Sequence, residues 1–525
     1  SPKTIVFVGG NLAASAEILH RKANADYCVI GDGEIIAQNL VTAIKEKKTS
    51  DDDLNKILGI TYLDSKNKFT FTGYDHPLPA DMLERPDYSI LEEDNSINYY
   101  IGKTRSAQNS EIAATVIVAK GCVAKCTFCH RFEKGYRVSP VDSLINHMKM
   151  LKEKYNVSFI QIGDENFGSN KKETIKLIKE MKSLGLKWCS NGVRVHTINF
   201  EDLKLWKECG CVAVSYGNET GSPTMLKVME KKVTLKQNIQ ALKDTYDAGL
   251  DNNIQLVVGM PGETDKTIDE TIDYLFKTMP YYPDRLRKNV TYEISINYAQ
   301  ALPGTPLYEY AREHGYVGKD IDSEEAYLLK ISDTDAYDSD HFINYTQQPL
   351  LKALSWRPKI LWKIFREHAK TNLKISPSKF SLLLSLLIIS INHLFKLKLN
   401  SPLKKTFDKL EVNNDKPAFQ NFNNYSYFQM GLKLLLPWNK FTYPLIAVFV
   451  AFKEAKSLAR YIRGTLKKDP RKRTRSGIKY FFKLIFDHIL WSLNVFKKFN
   501  LPSETLRKIV KIEDTDGSLK IREGR

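Results

Sequence analysis

A chain of 525 residues with 42% hydrophobic content has room for about two to four domains with buried cores, and its seven scattered cysteines exclude the dense disulfide framework of a small secreted scaffold. The net charge of +17 is unevenly placed: residues 351–525 hold 36 Lys and Arg against 12 Asp and Glu, a local +24, while the remainder carries −7. The N-terminus lacks the charged, apolar and small-residue order of a signal peptide, so a reducing cytoplasm is the expected setting, and the anionic partner implied for the basic third is a membrane surface or a nucleic acid.

The chain opens on Ser1 and enters "KTIVFVGG" at once, as if a strand were already under way, so a processed or partial version of a longer protein is expected. "KTIVFVGG" reads as a buried strand ending in a glycine turn and "ADYCVIGDGE" as a second. "EIIAQNLVTAIKEKK" follows with helical spacing of Ile35, Leu40, Val41 and Ile44. Around Pro77, Pro79 and Pro86 the chain takes on the character of an extended connection. This sets the expected divisions at 1–72, a linker at 73–109, a second domain at 110–335 and a basic, mainly helical region at 336–525.

In the second domain, six strand-like runs each end in polar or glycine residues and lead into a helical segment: "IAATVIVAKG", "VSFIQIGDE", "LKWCSNGVRV", "CVAVSYGNE", "NNIQLVVGMPG" and "YEISINYAQALPG". Repeated βα units predict a parallel sheet, and the C-terminal strand edge is where such folds place ligands and chemistry. Directly after the first of these strands comes "AKGCVAKCTFCHRF", with Cys122, Cys126 and Cys129 in a C-x3-C-x2-C run. Three thiolates from one loop can hold three corners of an iron–sulfur cubane and leave the fourth iron open to a ligand. The competing reading is structural zinc completed by His130 or by a distant Cys189, Cys209 or Cys211; the position behind the first βα strand favours the cluster.

This cysteine run, with Phe128 immediately before its last member, resembles the signature of radical S-adenosylmethionine enzymes. "GDENF", "SNGVR", "NETGSPTMLKVMEK", "GMPGETDKTIDETIDYL" and "ALPGTPLYEYAREHG" follow in the order found in the subfamily that carries a cobalamin-binding domain before the barrel, so the likeness spans roughly residues 1–330. It implies an α/β fold: a partial (β/α)6 radical SAM barrel, preceded by part of a Rossmann-like cobalamin-binding domain and followed by a mainly helical region. It also implies that Cys122, Cys126 and Cys129 hold a 4Fe-4S cluster whose free iron chelates S-adenosylmethionine. Gly163, Asp164 and Glu165 would meet the methionine amino group, although "GDE" departs from the commoner Gly-Gly-Glu and leaves open which carboxylate does so. Asn191, Arg194 and Glu219 would reach the nucleoside or carboxylate of that cofactor, or else serve as loop and salt-bridge residues. Gly259 and Gly262 would let backbone approach the adenine, or simply turn a strand into a helix.

Gly9 and Gly10 with Gly31 and Gly33 match the last two cofactor-facing loops of a cobalamin domain, where missing side chains admit a nucleotide tail. No D-x-H-x-x-G precedes them and His20 lies in the wrong context to be a lower ligand, so the domain is expected to be incomplete, with a purely structural remnant as the alternative. In the basic third, "FSLLLSLLIISI" at 380–391 is shorter than the ~20 residues a membrane-spanning helix needs. "YPLIAVFVAFKEAKSLARYIRG" and "GIKYFFKLIFDHILWSLNVFKKF" suit either interfacial helices or a bundle with a basic exterior, and both are favoured over a nucleic-acid arm. The expected activity is cobalamin-dependent methylation of an unactivated carbon on a small hydrophobic substrate, with an external electron donor and peripheral membrane contact. Radical cyclisation or rearrangement, and a non-catalytic iron–sulfur redox protein, are the alternatives. Tyr292, Tyr298 and Tyr308 fall near the expected barrel mouth, where aromatic residues more often pack than bind.

Overall fold

The computed structural model describes residues 4–83, 85–92, 96–102, 111–129, 135–282, 294–318, 320–332, 343–348 and 350–373. The N-terminal unit contains strands β1 (Phe7–Val8), β2 (Tyr27–Val29), β3 (Ile60–Leu63) and β4 (Phe69–Phe71), and helices α1 (Ala16–Ala23), α2 (Gly33–Lys45) and α3 (Asp51–Leu54). Its four strands stand in the order β1-β2-β3-β4, with β1 and β2 parallel and the other two pairings antiparallel. One face is packed by Ala13, Ala16, Leu19, Cys28 and Phe69, and the other by Val29, Ile36, Leu40, Ile60 and Tyr62. Period-two alternation thus buries both faces of a small sheet.

After a short helix α4 (Ser89–Glu92), the strand β5 (Ile101–Gly102) lies within the segment expected to be linker and pairs antiparallel with β6 (Ala113–Val116). The short hairpin β7 (Ala119–Lys120) and β8 (Arg137–Val138) is followed by α5 (Val141–Tyr155), β9 (Phe159–Ile162), α6 (Lys171–Ser183), β10 (Lys187–Val193), α7 (Phe200–Glu208), β11 (Cys211–Glu219), α8 (Pro223–Val228), α9 (Leu235–Asp247), β12 (Asp251–Val258), α10 (Asp265–Thr278) and β13 (Ile294–Tyr298). The sheet order is β13-β12-β11-β10-β9-β6-β5. Strands β6, β9, β10, β11, β12 and β13 are the six runs expected from the sequence, parallel and in sequential order. Right-handed crossovers between successive neighbours put the connecting helices on one side of such a sheet.

The helices begin where local chemistry can cap them. Asn199 with Asp202, Thr234 with Gln237 and Thr264 with Thr267 form reciprocal capping boxes at the starts of α7, α9 and α10. Toward the helices the sheet presents Val116, Ile162, Val214, Leu256 and Ile296, all buried in one continuous core. The opposite parity is different. Thr115, Gln161, Asn253, Gln255, Ser295 and Asn297 alternate with those core residues and remain partly or wholly exposed. One side of the sheet is therefore an apolar packing surface, while the other carries these uncharged polar residues toward the C-terminal ends of its strands and a small apolar cluster of Ala113, Phe159, Cys189 and Ala213 nearer their starts.

Beyond the sheet, α11 (Pro306–Glu313) and α12 (Ile321–Ser332) build a second core with Met225, Met229, Met260 and Tyr345. The basic third starts with α13 (Leu350–Leu373), which lies against α10: the Trp356 indole N–H donates to Asp265 at 2.8 Å, Lys359 meets Asp269 at 2.7 Å, and Ala353, Ile360 and Ile364 are buried. That helix is a packing element. The apolar stretches beyond it, including residues 380–391, Trp438 and Trp491, lie outside the described residues. Among the described residues no helix is long and apolar enough to cross a membrane.

Candidate active site at the cysteine loop

The loop bearing the cysteines leaves the C-terminal end of β6 and is closed by the β7–β8 hairpin, in which Ala119 faces Val138 and Lys120 faces Arg137. Thr127, between the second and third cysteines, is fully buried and fixes the loop. Its N–H donates to the Met229 carbonyl at 3.0 Å, its hydroxyl donates to the Val228 carbonyl at 2.9 Å, and its own carbonyl accepts from the Leu307 N–H at 3.0 Å. Phe128 packs beside the Met225 and Met260 cluster. The C-terminal end of α8 and the N-terminal end of α11 therefore hold the loop from behind.

Cys129 is exposed at the surface of the loop, yet desolvation by the protein around its sulfur pushes the thiol up to about 12, with Cys126, Glu165 and Cys122 adding to the rise. Burial raises Cys122 as well, against a Cys122 sulfur hydrogen bond from the Ala124 N–H. Cys122 and Cys129 are thus close enough to each other and to Cys126 to feel one another. Among the described residues no three His, Cys, Asp or Glu side chains bracket a single ion. Three thiols supplied by one short loop are the donor set that three corners of an iron–sulfur cubane take. For the zinc alternative, Cys211 opens β11 and Cys209 precedes it, both in the helix-facing core at the sheet edge opposite the loop. Cys189 is buried mid-sheet among Ala113, Phe159 and Ala213. His130 lies outside the described residues.

At the end of β9 the two adjacent carboxylates have different surroundings. Asp164 is buried and accepts from the Val118 N–H at 2.7 Å and the Ala119 N–H at 3.1 Å, so it pins the strand that leads into the cysteine loop; burial pushes its acid up to about 7. Glu165 is exposed and close enough to Cys122 and Cys129 to influence both. Gly163 has no room for a side chain, because a Cβ would come within 2.9 Å of Thr115 and 3.0 Å of Ile117. Gly192, at φ +76°, lets the end of β10 press against this turn, where a Cβ would meet the Asp164 carbonyl at 2.3 Å. Asn191 is half-buried just before it.

Glu219 ends β11 in the left-handed region at φ +61° and forms a 2.9 Å ion pair with Lys231. Burial works against the Lys231 charge, but Glu219 and the nearby Cys126 outweigh it and raise the ammonium above its ordinary range. Arg194 joins this group by donating to the Lys231 carbonyl at 2.9 Å. The pair occupies space that Gly217 leaves open, since a Cβ there would lie 2.6 Å from the Glu219 carboxylate and 3.1 Å from the Lys231 nitrogen. At the end of β12, Gly259 and Gly262 both have positive φ, at +93° and +81°. Between them and α10, the fully buried Glu263 accepts from the Gly259 N–H at 2.5 Å and from Met260, and burial pushes its acid up to about 8.

In the N-terminal unit, the glycine turns after the parallel strands β1 and β2 emerge at one edge. Gly10 and Gly31 have positive φ and nothing within 4 Å of a Cβ position, whereas Gly9 and Gly33 lie against Val29. An open backbone edge of this kind can admit a nucleotide tail. His20 is a core residue, hydrogen-bonded to the Ala25 carbonyl at 2.7 Å and to Thr61 at 2.9 Å, with burial lowering its pKa. Tyr298 and Tyr308 are buried packing residues, and Tyr292 lies outside the described residues.

Thr127, Lys231 and Glu263 escaped the sequence reading. Only the Thr of "CTFC", the Lys twelve residues after Glu219 and the Glu closing "GMPGE" marked them.

A sequential parallel βα sheet with a three-cysteine loop behind its first strand defines the S-adenosylmethionine radical class. Residues 116–275 match the family profile of the Radical SAM superfamily, so the chain carries a Radical SAM domain over that stretch. Over 322 residues it is 28% identical to an uncharacterized methyltransferase of Pyrococcus horikoshii, covering 58% of this chain and 62% of that protein. Over 279 residues it is 28% identical to the anaerobic magnesium-protoporphyrin IX monomethyl ester cyclase of Rubrivivax gelatinosus, covering 52% of this chain and 48% of the cyclase. The chain thus spans about half to three-fifths of these relatives. Among solved structures, the apo form of OxsB, a cobalamin-dependent S-adenosylmethionine radical enzyme, aligns with a TM-score of 0.51 at 15% identity, covering 97% of this chain and 70% of OxsB. That likeness speaks to the fold alone.

Proposed function

We propose that the protein is a cobalamin-dependent radical S-adenosylmethionine methyltransferase acting on a small, largely apolar substrate. The observation that carries the reading is the gathering of Cys122, Cys126 and Cys129 with Glu165, Lys231 and Glu219 at the C-terminal edge of the parallel sheet. When bound, a 4Fe-4S cluster, S-adenosylmethionine and cobalamin would together supply the electron relay, the organic radical and the transferable methyl group. An external one-electron donor feeds the relay.

This chain's residues bind and orient. Glu165 is the carboxylate exposed to ligand, and it takes the methionine ammonium, while Asp164 holds the loop. Lys231, charged and buried beside Cys126, meets the cofactor carboxylate, with Glu219 sharing that cation and Arg194 holding its backbone. The turn at Gly259 and Gly262, stiffened by Glu263, presents backbone to the adenine. Gly10 and Gly31 offer the open edge for the cobalamin tail. The substrate meets Thr115, Gln161, Asn253 and Gln255, none of which carries a charge. An uncharged skeleton with a few oxygen or nitrogen functions suits that wall, and the +24 of residues 351–525 supports peripheral contact with an anionic membrane as its source.

The cyclase relative favours one second reading, radical cyclisation without methyl transfer. Anaerobically reconstituted, reduced protein supplied with S-adenosylmethionine and candidate lipophilic extracts separates the two. A product heavier by one methylene equivalent supports methylation, and one lighter by hydrogen supports cyclisation. Failure to release 5'-deoxyadenosine under any of these conditions overturns both.

A further inference from the structure

The turn between β2 and α2 does more than expose glycine backbone. Asp32 stands at the N-cap of α2, where an aspartate ordinarily accepts from the first turn of its own helix, yet it makes no such bond. Its carboxylate reaches outward instead. One oxygen accepts from the Arg137 guanidinium at 2.6 Å and from the Leu78 N–H at 2.8 Å, and the same guanidinium nitrogen donates to the Leu78 carbonyl at 2.7 Å. Only 4% of the Asp32 side chain and 13% of the Arg137 side chain are exposed. Two residues further on, Glu34 meets Lys120 at 3.2 Å, and Lys120 is also 3.8 Å from Asp32.

Arg137 and Lys120 are cross-strand neighbours in β8 and β7, the two arms that close the cysteine loop. Both cationic arms of that hairpin are therefore held by one acidic turn of the N-terminal unit. A two-residue hairpin has little stability of its own, and its ladder needs outside support. A shielded, hydrogen-bonded aspartate–arginine pair supplies it with directional geometry.

We propose that Asp32, with Glu34, is a positioning element for the cysteine loop, so that the order of that loop, and with it iron–sulfur binding, depends on the N-terminal unit. The iron–sulfur part of this inference rests on the proposed function; the clamp itself does not.

The test uses the full chain with Asp32→Asn and Arg137→Gln, singly and together. Amide exchange is followed in the iron-free protein, and iron transfer to a ferrous chelator is followed after anaerobic reconstitution. Each single variant should speed exchange within residues 119–138 while leaving β3 and β4 unchanged, and the double variant should be no faster than either single. Iron should leave at least about tenfold faster, as when an outer partner of a metal ligand is removed. Wild-type exchange and release rates in Asp32→Asn, or effects that add in the double variant, overturn the clamp. If Asp32→Asn does not fold, Glu34→Gln, which removes only the outer contact, decides by the same two rates. A wild-type protein that takes up no iron refutes the proposed function, and exchange in that iron-free protein still decides the clamp.

Discussion

Glu219 and Lys231 share a 2.9 Å ion pair whose side chains are only 12% and 11% exposed, in a gap that exists because residue 217 is glycine. A charge pair so poorly hydrated is costly to break from one side, because the survivor keeps its desolvation penalty without its partner. It also stands beside Cys126, so its state is felt at the cluster-binding loop.

Glu219→Gln is therefore expected to destabilise the protein by about 3 kcal/mol. It should also weaken S-adenosylmethionine binding while leaving the iron content intact. Urea unfolding and cofactor titration read the two effects. Wild-type values in both would remove Glu219 from the site.

Alanine at Cys122, Cys126 and Cys129 together should abolish iron and sulfide uptake on anaerobic reconstitution. Iron analysis with visible absorbance checks this. Retained iron–sulfur absorbance, or a wild-type protein that prefers a single zinc ion, would defeat the cluster assignment.

Thr127→Val keeps the shape of a buried side chain but leaves the Val228 carbonyl without its 2.9 Å donor. An unsatisfied buried acceptor costs about 1–3 kcal/mol, and here the loss falls on the loop itself. Iron release to a chelator should accelerate along with the drop in unfolding midpoint; a stability loss with unchanged release would make Thr127 a core residue only.

Glu263 is raised to about 8 in the folded protein by burial. An unfolded glutamate titrates near ~4.3, so between the two values the native state holds the extra proton. Stability from this group is complete below the unfolded pKa and falls as pH rises toward 8, by up to about 1.4 kcal/mol per pH unit. Glu263→Gln should remove that slope. Parallel pH profiles for variant and wild type over this window would refute it.

Residues 351–525 carry +24, and α13 already occupies their first segment as packing against α10. Truncation after Leu373 keeps that helix and removes most of the basic surplus. The intact chain should co-sediment with anionic vesicles at low salt and release as salt rises, whereas the truncated chain should stay in solution. No co-sedimentation of the intact chain would remove the membrane from the proposal.

Much of this architecture was legible. The six parallel strands stood out because each is an apolar run closed by glycine or polar residues, and the cysteine loop announced itself by spacing. Side-chain commitments were not legible. Asp164 and Glu165 are neighbours in sequence, and only the backbone path of residues 118 and 119 turns one into an anchor and leaves the other exposed. Lys231 is one of 78 Lys and Arg, distinguished only by burial beside Glu219. Asp32 and Arg137 lie 105 positions apart, beyond the reach of any local pattern.

The alternation of Thr115 with Val116, Gln161 with Ile162, and Gln255 with Leu256 separates two kinds of mutational risk along a single backbone. The wall positions lie outside the helix-facing core, so substitutions there cost less stability than substitutions at their core neighbours. A library confined to Thr115, Gln161, Asn253, Gln255, Ser295 and Asn297 should yield mostly soluble, iron-competent variants with altered appetite for substrates. The same diversity shifted by one residue along each strand should yield mostly aggregates.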